Sequence, residues 1–198
     1  MTEEVVITGI KSSISQNFIK LLGEVNVHGI RVENINNYLM ADKYLFCQGV
    51  LYSKTEEDQT KEEKKRSEFI NFQSIVNACN KILEKNAKAR ICIIGSESGY
   101  RGSFDASYAK YKKKIHEYIE TTTLQFPTQQ IVGLAPTIIE DTDMTKNRKD
   151  QDNLDRRRKE HPMKRFLKSS EVASMAYTLL YEQPYINKTV IRMHGGMN

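Results

Sequence analysis

The chain has 198 residues, 39% of them hydrophobic and 28% charged, which suits a soluble protein of one domain with a well-buried core. It has no apolar run long enough to span a membrane, and its acidic start leads directly into a strand. We therefore expect no signal peptide and predict a cytoplasmic location. The formal charge of +5 arises largely in two basic runs, residues 110–114 and 155–165, which are more typical of solvated faces than of nucleic-acid sites.

The three cysteines, Cys47, Cys79 and Cys92, lie in apolar segments without CxxC or Cys/His spacing. This pattern predicts buried, reduced thiols, and it predicts neither a disulfide framework nor a metal site.

The first element is predicted to be a strand that leads through a tight turn into a helix. Residues 5–7 form a short apolar run bounded by a turn, as in a buried parallel strand. Apolar residues then recur at helical spacing until Gly23, at Ile14, Phe18, Leu21 and Leu22. A helix that starts directly after a strand presents free N–H groups, so the turn is a candidate anion site.

Residues 24–44 leave room only for a strand around Asn26–Val32 and a short helix around Asn36–Asp42. The next strand and turn are predicted in "KYLFCQGVLY". A charged run, residues 53–68, then leads into a helix with a broad apolar face, which contains Phe69, Phe72, Ile75, Val76, Cys79, Ile82 and Leu83.

The middle of the chain contains the pattern that carries chemistry. The strand "RICIIG" ends at Ser96, a loop with Gly99 and Gly102 follows, and a helix then carries Tyr108 and Lys112. Residues four apart share a helix face, so the ammonium is expected to lower the tyrosine pKa from about 10 toward working pH. A serine hydroxyl beside that phenol suits proton transfer at a carbonyl or alcohol oxygen. Tyr and Lys four apart are common on ordinary helices, and the strand and loop before them strengthen the prediction.

The rest of the chain predicts a strand within residues 129–139, a polar stretch without periodicity up to Pro162, a helix that starts at Ser169 or Ser170, and a last strand that ends at a glycine pair. No repeat or linker is visible, so residues 1–198 are expected to form a single domain. Strands that alternate with amphipathic helices predict an α/β fold, a parallel sheet with helices on both faces. Its strand ends would then bring Thr8, Ser96 and Pro136 to one edge.

These pieces, in this order, resemble the short-chain dehydrogenase/reductase family. Besides Ser96, Tyr108 and Lys112, the segment from Pro136 to Met144 is similar to the family's PGxxxTxM segment, with Thr137 in place of glycine and one residue inserted before Thr142. The resemblance implies a three-layer, Rossmann-like, doubly wound parallel sheet. It also implies that one βα unit is reduced or missing, because residues 24–44 are shorter than the two units that the family has there.

The resemblance further implies an NAD(P)-dependent oxidoreductase that moves a hydride between nicotinamide and a carbonyl or alcohol substrate. Tyr108 would be the general acid/base, and Lys112 would lower its pKa and bind the nicotinamide ribose. Ser96 would orient the substrate, and Asn71 would hold a relay water. The choice between NAD and NADP stays open. Glu33 is a candidate to bind the adenosine ribose of NAD, and Arg31 is a candidate to bind the 2′-phosphate of NADP.

The cofactor turn departs from the family pattern TGxxxGxG. Thr8 and Gly9 are kept, but Ser13 and Ser15 replace the second and third glycines around Ile14. A serine adds bulk where the backbone approaches a pyrophosphate, so we expect weaker binding, although its hydroxyl suits a phosphate or a helix cap. The expected cofactor-binding residues are Thr8, Gly9, Ser13, Ile14, Ser15, Glu33, Gly49, Tyr108, Lys112, Pro136, Thr137 and Thr142.

A homodimer or homotetramer is expected through the helices around residues 62–86 and 106–124, which carry the additional apolar residues Phe69, Phe72, Ile115, Tyr118 and Ile119. The altered glycines also suit a catalytically impaired, dehydrogenase-like protein that acts as a binding or regulatory homo-oligomer. A nucleic-acid-binding role for the basic segments lacks clustered aromatic residues, so neither a nucleic acid nor a membrane is the expected partner. The arginines at 156–158 permit a phosphorylated or carboxylated substrate.

Overall fold

A computed structural model describes residues 2–52, 54–148 and 150–197. Its strands are β1 (Glu4–Thr8), β2 (Asn26–Ile30), β3 (Lys43–Phe46), β4 (Arg90–Ile94), β5 (Gln130–Pro136) and β6 (Thr189–Met193). Its α-helices are α1 (Ser13–Ile19), α2 (Lys61–Glu68), α3 (Ser74–Lys85), α4 (Ser98–Arg101), α5 (Ala106–Thr121), α6 (Asp143–Lys146), α7 (Gln151–Glu160) and α8 (Ser169–Tyr177). A 3₁₀ helix spans Val32–Tyr38, and π-helical turns follow α2 at Phe69–Gln73 and α8 at Thr178–Glu182.

All six strands lie parallel in one sheet, in the order β2-β1-β3-β4-β5-β6. The chain adds β2 on one side of β1 and the remaining strands on the other, so the order reverses between β1 and β3. Ligands bind at such a switch point in open α/β sheets. The predicted doubly wound, Rossmann-like fold is confirmed. On the side of β1 that faces away from β3, the sheet contains a single strand, β2.

The sheet separates two apolar cores, because neighbouring residues of a strand face opposite sides. Val6 of β1 joins the core covered by α3, α5 and the 3₁₀ helix, whereas Val5 and Ile7 join the core covered by α1 and α8. This arrangement gives the three layers that the alternation of strands and helices predicted.

The predicted oligomer face is wrong at two positions. Ile115 and Ile119 of α5 are fully buried in the first core, so they are not available to a partner. Phe69 remains 40% exposed, and Phe72 and Tyr118 are half-buried. The homodimer or homotetramer stays a prediction that depends on these three rings.

Two other segments differ from their predictions. The polar stretch without periodicity contains α7, whose only buried residue is Leu154, and ion pairs one turn apart stabilise its exposed face. The helix expected around Asn36–Asp42 is instead the 3₁₀ helix, which begins four residues earlier.

Cys79 and Cys92 are buried as predicted, whereas Cys47 is only partly buried. Burial raises the pKa of all three thiols, that of Cys47 to about 11. Within the described ranges, no cluster of His, Cys, Asp or Glu side chains could hold a metal ion. None of the described helices is long and apolar enough to cross a membrane.

Candidate functional site

The loop that follows β4 is anchored to β5 by main-chain hydrogen bonds. The Gly95 N–H donates to the Leu134 carbonyl (2.6 Å), and the Glu97 N–H donates to the Pro136 carbonyl (2.9 Å). These two bonds flank Ser96, whose hydroxyl accepts a hydrogen bond from the Ser98 N–H (3.1 Å). Ser96 therefore lies at the edge of the sheet where the strands end.

Helix α5 begins at a buried aspartate that the sequence analysis did not select. Asp105 accepts hydrogen bonds from the Tyr108 N–H (2.9 Å) and from the Tyr52 N–H (2.9 Å). Because it caps the helix, it fixes where the first turn starts and so directs Tyr108 and Lys112 inward. An aspartate three residues before Tyr108 is a recognisable N-cap signal, but its bond to Tyr52 has no signal in the sequence.

The pKa of Tyr108 shifts in the direction opposite to the prediction. Burial raises it to about 12, a hydrogen bond with Ser96 lowers it in part, and Asp105 raises it further. The Lys112 ammonium donates to the Ile94 carbonyl (2.8 Å) and lies 5.7 Å from the centre of the Tyr108 ring. Lys112 is only 2% exposed, and burial lowers its pKa to about 8. Tyr108 is therefore a neutral phenol near pH 7, beside a largely charged Lys112.

Asn71 lies in the π-helical turn between α2 and α3 and is fully buried. Its Oδ1 accepts from the Val50 N–H (3.0 Å), and its Nδ2 donates to the Val50 carbonyl (2.9 Å) and to the Ser67 hydroxyl (3.1 Å). A Cβ added at Gly49 would lie 3.5 Å from Asn71 Oδ1 and 3.8 Å from Lys112 Nζ, so the asparagine and the lysine both approach Gly49. Single-turn π-bulges of this kind are frequent at functional sites.

The turn after β1 requires its glycine. Gly9 has φ +67°, and a Cβ there would lie 2.9 Å from the Cys47 carbonyl carbon. The backbone thus approaches the end of β3 more closely than any side chain would allow. Thr8, which precedes Gly9, donates its hydroxyl hydrogen to Gln48 Oε1.

The serines of the turn bind the protein itself. Ser12 caps α1 by accepting from the Ser15 N–H (3.1 Å). The Ser15 hydroxyl is fully buried and donates to the Gly9 carbonyl (3.0 Å), and the Ser13 hydroxyl donates to the Asp141 carbonyl (3.0 Å). The cap at Ser12 was missed in the sequence analysis, although a serine before the apolar run of α1 is the usual signal.

One cavity of about 1130 Å³ connects the turn to the residues around Tyr108. Nine of the predicted site residues line it: Ser13, Ile14, Gly49, Ser96, Tyr108, Lys112, Pro136, Thr137 and Thr142. Thr8, Gly9, Ser15 and Asn71 do not line it. Glu33 lies on the exposed first turn of the 3₁₀ helix, next to the exposed Arg31, and neither residue lines the cavity.

Two side chains beside Ser96 were also missed. Glu97 is 4% exposed and forms a two-point ion pair with Arg192 of β6 (2.9 and 2.7 Å). His116 lies one turn beyond Lys112 on α5 and contacts the Ser96 backbone. His116 could have been predicted, because it lies four residues after Lys112 on the helix face of Tyr108. The ion pair of Glu97 could not, because its partner Arg192 lies 95 positions away in the chain.

No family model and no curated protein matches the chain. Solved structures do match it. They include a short chain dehydrogenase family protein from Francisella tularensis subsp. tularensis, with 18% identity, a TM-score of 0.84 and coverage of 99% of this chain and 98% of that one. A variant of actinorhodin polyketide ketoreductase with NADPH has 16% identity and a TM-score of 0.84, with coverage of 98% and 97%. BdcA in complex with NADPH has 17% identity and a TM-score of 0.84, with coverage of 99% and 94%.

The chain therefore has the fold of short-chain dehydrogenases/reductases over nearly its whole length, which confirms the resemblance noted from its motifs. At identities of 16–18%, this likeness establishes the fold. Function has to be argued from the site.

Proposed function

We propose that the protein is an NAD(P)-dependent oxidoreductase of the short-chain dehydrogenase/reductase type, acting on a small carbonyl or alcohol substrate. The observation that carries this proposal is the single cavity whose wall contains both the Ser12–Ile14 turn and the Ser96, Tyr108 and Lys112 group. A dinucleotide needs an anchored phosphate region and a reactive end in one continuous space. At about 1130 Å³ the cavity exceeds the roughly 300–1,000 Å³ of ordinary ligand pockets.

The residues present fit a nicotinamide dinucleotide. The serine that replaces the third glycine, Ser15, points into the turn and not into the cavity, so it does not obstruct a phosphate. Gly49 keeps the wall open beside Lys112, since an added Cβ would occupy space near the ammonium. The hydroxyls of Ser12 and Ser13 are engaged within the protein, so the main-chain N–H groups of Ser13 and Ile14 at the start of α1 would hold the phosphates. Lys112 and Thr137 would hold the nicotinamide half. The two neighbours with NADPH favour testing that form first.

Tyr108 would supply the proton. A bound nicotinamide would supply the hydride for the carbonyl carbon. The Tyr108 phenol would give its proton to the carbonyl oxygen and so complete the alcohol. Because the pKa of Tyr108 is raised to about 12, the phenol holds its proton at neutral pH, and this favours carbonyl reduction over alcohol oxidation. The Ser96 hydroxyl beside it would donate a hydrogen bond to the same oxygen.

The test combines binding with turnover. Calorimetric titration with NADPH and NADH should show binding of at least one of them, and a panel of aldehydes, ketones and keto acids should then be reduced. Tyr108→Phe should lower kcat by about 10²–10⁴-fold with the cofactor Kd unchanged, because it removes only the acid. Tyr111→Phe is the matched control, since it removes the hydroxyl of another buried tyrosine on α5.

Two outcomes would decide against this function. If neither nucleotide binds, no dinucleotide site exists. If a nucleotide binds but Tyr108→Phe and the wild-type protein are equally inactive on the whole panel, the binding or regulatory alternative replaces the enzyme.

A further inference from the structure

The imidazole of His116 accepts a hydrogen bond from the main chain of Ser96. The Ser96 N–H points at His116 Nε2 over 3.3 Å, and His116 is 3% exposed. An accepting Nε2 carries no proton, so the proton of the neutral ring is on Nδ1. Among the described residues, Nδ1 is buried and has no hydrogen-bond partner.

Two glycines make room for this ring. A Cβ added at Gly95 would overlap His116 Nε2, and a Cβ added at Gly99 would lie 2.7 Å from its Cε1. Both glycines flank Ser96 in the loop after β4. The loop and the imidazole therefore fit each other so closely that a larger residue at Gly95 or Gly99 would displace the ring.

A stack of side chains covers the ring from solvent. Tyr100 stacks on His116 with ring centres 4.7 Å apart, and the Arg192 guanidinium lies 4.6 Å from the centre of the Tyr100 ring. Arg192 also holds the carboxylate of Glu97, the residue after Ser96. Burial, with Lys112 and Arg192 nearby, lowers the pKa of His116 to about 4, so the ring stays neutral and able to accept.

We propose that His116 is a positioning residue for Ser96, holding its backbone so that its hydroxyl faces the Tyr108 phenol. The proposal rests on the function proposed above. Tyr108, Lys112 and His116 occur at four-residue intervals on α5, so one rigid helix sets the phenol and the serine relative to each other. An apolar side chain would fill the same space without burying an unpartnered N–H, and this favours a functional reason for the histidine.

Kinetics of His116 variants test this role. His116→Leu removes the acceptor, and we expect kcat to fall about 10- to 100-fold with the cofactor Kd unchanged, because a misplaced orienting group costs rate and not binding. His116→Gln places Oε1 near the position of Nε2 and should restore kcat to within about threefold of wild type. Ser96→Ala sets the scale of a full loss. The matched control is His28→Leu, since the His28 ring also packs against a tyrosine ring, that of Tyr38, with centres 4.7 Å apart, but lies on β2.

A second measurement needs no turnover. Hydrogen exchange of the Ser96 amide should be slow in the wild-type protein and in His116→Gln, and at least about tenfold faster in His116→Leu, provided that thermal unfolding shows all three to be folded. If the wild type is active and His116→Leu has the same kcat, the proposal is wrong. It is also wrong if the kcat of His116→Gln is as low as that of His116→Leu. If the wild type reduces nothing, the oxidoreductase function fails, and the amide exchange then decides alone whether His116 holds Ser96.

Discussion

Two parts of the cavity wall hold their polar side chains in different ways. Around the ends of β3 and β4, Lys112 of the wall and Asn71, which does not line the cavity, are buried, and each bonds to a main-chain carbonyl group. Along α7, arginines are exposed and pair with carboxylates one turn away, as Arg156 does with Glu160 at 3.2 Å. Buried polar groups are costly to leave unbonded, whereas surface ion pairs contribute little. The buried side chains of the first part are therefore held in one conformation, whereas the exposed arginines of the second part can change conformation when a ligand binds.

We expect the first part of the wall to control the rate of the reaction and the second part to control the affinity for the substrate. Substitutions around Tyr108 should therefore lower kcat, and substitutions on α7 should raise KM.

Lys112→Met should have the largest effect of these variants. We expect kcat to fall about 10²–10³-fold and the cofactor Kd to rise, because the ammonium serves both the tyrosine and the cofactor. Burial of that charge opposes folding, as its pKa near 8 shows, and methionine fills similar space, so the thermal unfolding temperature should not fall. Lys113→Met, one residue along on the exposed face, is the control. A Lys112→Met protein with wild-type kcat would contradict the claim that the buried part of the wall controls the rate.

The pH dependence of reduction should follow the same lysine. Lys112 is charged below its pKa of about 8 and loses its charge above it, so kcat/KM for carbonyl reduction should be flat below pH 7 and fall about tenfold per unit above pH 8. Tyr108 keeps its proton throughout this range, because its pKa is about 12. Steady-state rates between pH 6 and 10 measure the profile. In Lys112→Met the fall should disappear, and a fall that persists there would trace it to another group.

Arg157 tests the part of the wall along α7. It lines the cavity, and among the described residues it has no ion-pair partner, unlike Arg156 beside it. For a keto acid we expect Arg157→Gln to raise KM about tenfold with kcat unchanged, and for the methyl ester of that acid we expect no change. Arg158→Gln is the matched control, because Arg158 lies on the same helix, pairs with Asp155 and does not line the cavity. A change in kcat and not in KM would contradict the division of roles.

The serines of the turn should have the smallest effect on function. Ser15→Gly loses a buried hydrogen bond and adds a glycine to α1, so unfolding should become easier by about 1–2 kcal/mol. The cofactor Kd should stay within about threefold, because Ser15 does not line the cavity. Denaturant unfolding and calorimetric titration measure the two effects, with Ser13→Gly as the partner variant on the cavity wall. Binding that tightens strongly in Ser15→Gly would show that the serine obstructs the phosphates after all.

The fold was largely predictable because its signals are local. Short apolar strands and amphipathic helices are visible in windows of a few residues, and the spacing of Ser96, Tyr108 and Lys112 follows from a strand end and a helix period. The predictions that failed concern which faces meet. Ile115 and Ile119 were expected to be available to a partner, but the sheet covers them, and this depends on how α5 packs against β5 and β6.

Local sequence was enough to predict the alternation of strands and helices, the parallel sheet and the common helix face of Tyr108 and Lys112, since each depends on neighbours within about one helical turn. The protonation state of that pair depends on packing, because burial raises the pKa of Tyr108, whereas the nearby lysine alone was expected to lower it. Packing also sets the hydrogen bond from the Ser15 hydroxyl to the Gly9 carbonyl and the one from the Ser96 N–H to the His116 imidazole. These contacts join segments that come together only when the chain has packed, and no local pattern encodes them.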